Sequence, residues 1–300
     1  MEYMTTTTAV NKWGISERRI RQLLANGRIE GAVKIGNTWN IPINATKPVD
    51  KRSVKLAKDF SFKISKGYFN ELDELLLQYN NKVYNSSNTL KDIKNEYNTN
   101  FIYQCNSLDG SSLSLKDTKV VLSGITVGNK SIKEHLQVIN LERTLKYIDK
   151  LVKSSDPITE NNIKNLHRLL LLGIDYEFAG RYRADDPNSK RVSNVSELME
   201  KLVISYGNWE KYHPIVQASL LHGELVRNHP FCDGNETLSI LVMNLALMSH
   251  GYLPIMITKD NKLEYYNNLA KAHLNGDYTN FIKFINNLEI EAIKECLTKI

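Results

Sequence analysis

Cysteine is scarce in this chain. Its 300 residues hold three, Cys105, Cys232 and Cys296, far apart and in no CxxC spacing. Neither a disulfide framework nor a structural zinc site is indicated, and all three are expected as free thiols. Long apolar runs are missing too. The longest, Leu238 to Met248, is interrupted by Ser239 and Asn244 and falls short of the about 18 residues of a membrane span. The N-terminal MEYMTTTTAVNKWG has no apolar run of secretory length. No membrane partner is therefore expected, and a cytoplasmic location is. No internal repeat stands out. What remains, 42% hydrophobic and 24% charged residues, is enough for one sizeable core and a small second domain.

The excess of positive charge is local. Residues 1–52 hold nine Lys/Arg and four Asp/Glu, whereas the other 248 residues hold 30 and 29. A basic head on a neutral body points to a polyanionic partner for the head, or to an ordinary solvated surface. In this head one short helix ends at Trp13-Gly14. A second starts with Ser16 as its cap, keeps Ile20, Leu23 and Leu24 on one face and stops at Asn26-Gly27. The following AVKIGNTWNIP alternates about Gly36-Asn37 as a hairpin does. That order is a helix-turn-helix with a wing. It leaves Arg18, Arg19, Arg21, Gln22 and Arg28 as candidates to meet the phosphates or base edges of duplex DNA. The segments ISERRIRQLL and GRIEGAVKIGNTW resemble the small winged helix-turn-helix domains of the excisionase and MerR type. A small basic protein-contact domain is the alternative. Polar, Pro-containing NATKPVDKRSVKLAKD reads as a linker.

Beyond residue 60 the apolar spacing is helical: Leu141, Leu145, Ile148 and Val152 in one stretch, then Val216, Leu220, Leu221 and Leu225. A helix over Pro214 to Asn228 leads into His229, and Leu238 to Met248 is apolar all round, as a buried central helix is. Between them lies HPFCDGNE. A histidine, a carboxylate, a glycine and an asparagine just before a helix N-terminus supply a general base, a cation ligand and an anion nest with the helix dipole behind it. Geometry of this kind suits phosphoryl or nucleotidyl transfer.

NHPFCDGNETLSI resembles the signature HxFx(D/E)GNGRxxR of the Fic family. The likeness extends to AGRYR at 179–183, HPIVQASLLHGELVRNHPF before the loop, MNLALMSHGYLP after it, and YYNNLAKAHLNGDYTNFIKFI at 265–285. It implies a mostly α protein, a Fic-type helical bundle with a short flap hairpin over residues 96–300. Residues 1–50 would then be the winged helix-turn-helix, and 51–95 a linker and leading helical segment. Fic proteins typically move AMP from ATP to a hydroxyl side chain of another protein. By that resemblance His229 takes the proton from the attacking hydroxyl, Asp233 holds Mg2+, Gly234 and Asn235 begin the phosphate cradle, and Phe231 anchors the loop. A homodimer is compatible with the family, and the target protein is unspecified.

Three positions depart from the signature. Glu236, Thr237 and Ile240 stand where the family has Gly, Arg and Arg. Each lost arginine contact is worth about 1.5–3 kcal/mol, so the grip on a triphosphate is expected to be weak. The family's inhibitory motif, [S/T]xxxE[G/N], has its counterpart in CNSLDG, with Cys105, Asp109 and Gly110 at its key positions. With isoleucine at 240, Asp109 is expected to lack the arginine that the family's inhibitory Glu occupies. An ordinary turn at Asp109-Gly110 is the competing reading. Two functions stay open: an adenylyltransferase with weak or altered donor use, and an inactive Fic scaffold acting as a DNA-binding regulator.

Overall fold

The computed structural model describes residues 3–13, 17, 20–21, 24, 29, 31–35, 38–43, 45, 60–84, 87–183 and 195–300, with backbone alone at 11, 84 and 87–91. They fall into two compact units, Met1–Lys55 and Leu56–Ile300.

In the first unit β1 (Tyr3–Met4) is followed by α1 (Thr6–Trp13), β2 (Val33–Ile35) and β3 (Thr38–Pro42). The Thr5 hydroxyl accepts from Thr8 N at 3.2 Å and so starts α1, which ends at Trp13 as expected. β2 and β3 pair antiparallel with Ile35 opposite Thr38, as the expected hairpin requires, while its turn at Gly36-Asn37 lies outside the described residues. β1, too short to carry any alternation, adds a third strand beside β3 through Met4 opposite Ile41. Residues 17, 20, 21 and 24 are helical. Ile20 and Leu24 are buried in a small core with Met4, Ala9, Trp13, Ile29 and Ile41. Arg21 is exposed and pairs with Glu17 at 2.7 Å. Arg18, Arg19, Gln22 and Arg28 lie outside the described residues.

The second unit is helical: α2 (Asn70–Tyr84), α3 (Ser87–Leu108), α4 (Leu115–Leu122), α5 (Ile132–Lys153), α6 (Glu160–Leu170), α7 (Val195–Gly207), α8 (Pro214–Asn228), α9 (Asn235–Ser249), α10 (Lys262–Asn275) and α11 (Thr279–Lys299). The mostly α expectation holds. Helix starts follow local chemistry. Ser114 with Asp117, and Ser131 with Glu134, form capping boxes, and Thr159 caps α6. Burial is concentrated in α8 and α9, which pack against each other at the centre. Every residue of α9 from Leu238 to Leu247 is buried, as its all-round apolar sequence requires. The leading segment is strapped to this body, since Ser61 N donates to Gly276 O at 2.7 Å and Tyr278 N to Ser61 O at 2.9 Å. Among the described residues no helix is long and apolar enough to cross a membrane. The flap hairpin that the resemblance implies would fall in RYRADDPNSKRVSNVSELM at 181–199, of which 184–194 lie outside the described residues.

Candidate active site

The helix α8 ends at His229, which adopts the left-handed conformation with φ 45° and ψ 60° while its N–H donates to Leu225 O at 3.1 Å. A side-chain-bearing residue there costs roughly 1–2 kcal/mol and persists where its surroundings fix it. They do so here. Arg183 Nε donates to His229 O at 2.7 Å, and Arg183 N donates to Pro230 O at 2.8 Å. Inside the loop, Asn235 Nδ2 donates to Phe231 O at 2.8 Å and its Oδ1 accepts from Phe231 N at 2.9 Å. The same Nδ2 lies 3.3 Å from His229 Nε2. An amide N–H only donates, so this contact calls for a lone pair on Nε2, the form a general base needs.

Gly234 then turns the chain with φ 69°, and α9 begins at Asn235. The Asp233 carboxylate is exposed and accepts from Gly234 N at 2.8 Å. His229, Cys232, Asp233, Gly234, Glu236 and Thr237 all line one cavity of about 480 Å3, which Asn106, Lys133 and Gln137 line as well. The start of α9 presents its first backbone N–H groups and the positive end of its dipole to this space, as anion binding requires. Magnesium is commonly held by one or two carboxylates together with substrate phosphates, a donor set that Asp233 suits. Among the described residues no group of three His, Cys, Asp or Glu is placed to hold a metal without a substrate.

A buried histidine absent from the sequence reading supports the loop. His167 Nδ1 accepts from Gly180 N at 2.8 Å, so Nε2 carries the proton and donates to Asp233 O at 3.0 Å. Its ring stacks on Phe231 at 3.8 Å, and burial pushes its pKa down to about 4, which keeps it neutral. Tyr182 packs on Phe231 from another side, at 5.2 Å. AGRYR thus contributes Gly180, Tyr182 and Arg183 to the loop's support. It stands out in the sequence only as a matched segment, because nothing in its composition reveals what it touches 46 residues later.

The profile of the Fic/DOC family matches residues 157–247, which span α6, the AGRYR segment, the loop and most of α9. The chain carries a Fic domain. Protein adenylyltransferase Fic of Nematostella vectensis is 35% identical over 193 residues, covering 61% of this chain and 45% of that protein. Protein adenylyltransferase fic-1 of Caenorhabditis elegans is 33% identical, covering 62% of this chain and 38% of that protein. The chain therefore spans under half the length of these relatives. Among solved structures, a fragment of C. elegans Fic-1 superposes with a TM-score of 0.70 at 28% identity, over 77% of this chain and 71% of that one. A Fic domain containing signaling protein from Bacteroides thetaiotaomicron superposes with 0.66 at 26% identity, over 75% of this chain and 96% of that one.

Beyond its loop, this Fic domain has an acidic wall. Asp109, at the end of α3, accepts a 2.7 Å hydrogen bond from Thr237 Oγ1. A hydroxyl in the first turn of α9, not an arginine, is thus a side-chain partner of Asp109. Burial raises the Asp109 pKa, with the charges of Glu236 and Asp233 adding to the rise, while the Thr237 bond opposes it. The Glu236 carboxylate accepts from Tyr266 OH. Cys105 is buried, does not border the cavity, and its thiol pKa is raised chiefly by that burial. Gly110 completes the turn after α3 with φ 86°. Ile240 is 1% exposed and belongs to the apolar core, away from the cavity. The Asn235 side chain is spent on holding the loop, so its N–H at the helix start is the part left for a phosphate.

Proposed function

We propose that this chain is a Fic-type transferase that moves a nucleoside monophosphate from a magnesium-bound nucleotide to a hydroxyl side chain of a target protein, with a weakened hold on the donor. The observation that carries this reading is the contact of Asn235 Nδ2 with His229 Nε2, 3.3 Å apart, beside Asp233 and the start of α9. His229 Nε2 accepts the proton of the target hydroxyl. The freed oxygen bonds to the α-phosphorus as the bond from that phosphorus to the pyrophosphate oxygen breaks, and pyrophosphate leaves with the electron pair. Asp233 would hold magnesium, which when bound would supply positive charge to neutralise the phosphates. The α9 N–H groups receive a non-bridging oxygen, with Gly234 allowing close approach. Glu236 and Asp109 add negative charge to a cavity in which Thr237 and Ile240 replace the family's two arginines, so donor affinity is low and the transfer slow. AMP from ATP, within the cytoplasm, is the specific form this reading takes, and a protein hydroxyl is the acceptor.

A second reading is favoured by the same two carboxylates: an inactive scaffold whose residues 1–50 bind duplex DNA. Calorimetric titration with ATP, other nucleotides and magnesium separates the two. Magnesium-dependent nucleotide binding that His229→Ala leaves intact, with label transfer that it abolishes, supports the transferase. No nucleotide binding, together with salt-sensitive retention of duplex DNA, supports the scaffold.

A further inference from the structure

We infer that His167 and Arg183 are positioning residues of this site, which together hold the backbone of residues 229–233 so that the His229 ring and the Asp233 carboxylate face the cavity. The inference rests on the proposed transferase reading for its consequence, but the clamp itself does not. The loop between α8 and α9 enters through a residue in the left-handed region and leaves through a glycine in the same region, φ 45° at His229 and 69° at Gly234. Within the loop, Asn235 bonds both backbone groups of Phe231 and the Asp233 carboxylate accepts from Gly234 N. Further anchors come from outside. Arg183 takes the carbonyls of His229 and Pro230 at 2.7 and 2.8 Å, at the entry. His167 takes the carbonyl of Asp233 at 3.0 Å, at the exit, and lies flat on Phe231 between them.

The two clamps are joined. His167 donates from Nε2 only because Gly180 N–H occupies Nδ1, and Gly180 lies three residues before Arg183 on the same arm. Only glycine permits that approach: at φ 75° a Cβ there would lie 2.9 Å from the Lys164 carbonyl oxygen. The arm is seated by Tyr182, which is buried and donates to Glu160 Oε2 at 2.9 Å. The bland alternative is that His167, wholly buried, merely fills the core. A filler would be replaced by any ring of its size, whereas a clamp depends on where its N–H groups and ring nitrogens lie.

The test is hydrogen exchange on the full chain without nucleotide, comparing wild type with His167→Phe, His167→Gln, Arg183→Met and Arg183→Lys, each with its melting temperature. Phenylalanine keeps the ring and loses the clamp, and glutamine keeps a donor for Asp233 O. We expect the Phe231 and Gly234 amides to exchange at least about tenfold faster in His167→Phe and Arg183→Met, with partial recovery in His167→Gln and Arg183→Lys, and interior amides of α8 unchanged. Loop exchange unchanged in both disruptive variants, or rising equally in α8, overturns the inference. Where transfer is measurable, Arg183→Met should lower kcat about tenfold with the nucleotide KM held; a raised KM with kcat intact also overturns it. A wild type that binds no nucleotide sinks the proposed function and leaves the exchange result to decide the clamp.

Discussion

Thr237 and Asp109, 128 residues apart in the chain, share a 2.7 Å hydrogen bond at the mouth of the α9 helix. A neutral hydroxyl holds a carboxylate there without neutralising it, so the negative charge stays in the cavity beside Glu236 and Asp233.

The first prediction concerns this charge. Asp109→Asn keeps an acceptor for Thr237 and removes one like charge, so nucleotide affinity at pH 7 should rise by roughly three- to tenfold. The Asp109 pKa is raised, which means the wild type protonates this group before an ordinary carboxylate as pH falls. Its advantage over the wild type should therefore shrink as pH is lowered towards 5. Calorimetry on both proteins across that range checks it, and an equal affinity at pH 7 contradicts it.

Ile240 yields a stability prediction. An arginine at a position 1% exposed in the apolar core is left without solvent or a partner, and Ile240→Arg should cost several kcal/mol and lower the melting temperature sharply. Restoring the family signature by that substitution is thus no repair. Thr237→Arg, at a position bordering the cavity, should be far better tolerated and should tighten nucleotide binding. Thermal melts of the two variants decide this, and an undiminished melting temperature for Ile240→Arg contradicts the placement.

Glu289 on α11 is fully buried, and its Oε1 accepts from Leu253 N at 2.7 Å. Burial raises its pKa from 4.5 to about 8. A raised acid is protonated in the folded state and ionised in the unfolded one between those two values, so the stability it contributes is full below 4.5, is lost as pH rises through that window, and is gone above 8. Glu289→Gln mimics the protonated form. Its melting temperature should be flatter with pH than the wild type's and higher by pH 8, as scanning calorimetry at several pH values would show.

Much of this was legible in the residues because the signals are local. Period 3.6 marked α5 and α8, an all-round apolar run marked α9, the Gly36-Asn37 pair marked the hairpin, and HPFCDGNE carried base, carboxylate, glycine and helix start within one short stretch. The illegible parts are contacts between distant segments. β1 has two residues and exists only because β3 offers an edge. Asp109 meets Thr237, and Arg183 meets His229, through packing that no spacing encodes. Ile240 sat in the signature alignment as a lost arginine, and only the burial of α9 on every side reveals that it faces the core.

The central claim is that His229 catalyses transfer on a donor held weakly because of Asp109 and Glu236. The most direct measurement is incorporation of label from α-labelled ATP with magnesium into the protein itself or a hydroxyl-bearing target, comparing wild type, the Asp109→Asn, Glu236→Gln double variant, and that double variant with His229→Ala. The account predicts slow labelling by the wild type, at least about tenfold faster labelling by the double variant, and none once His229 is removed while nucleotide binding persists. Labelling that survives the loss of His229, or a folded double variant that binds nucleotide and transfers nothing, would contradict it.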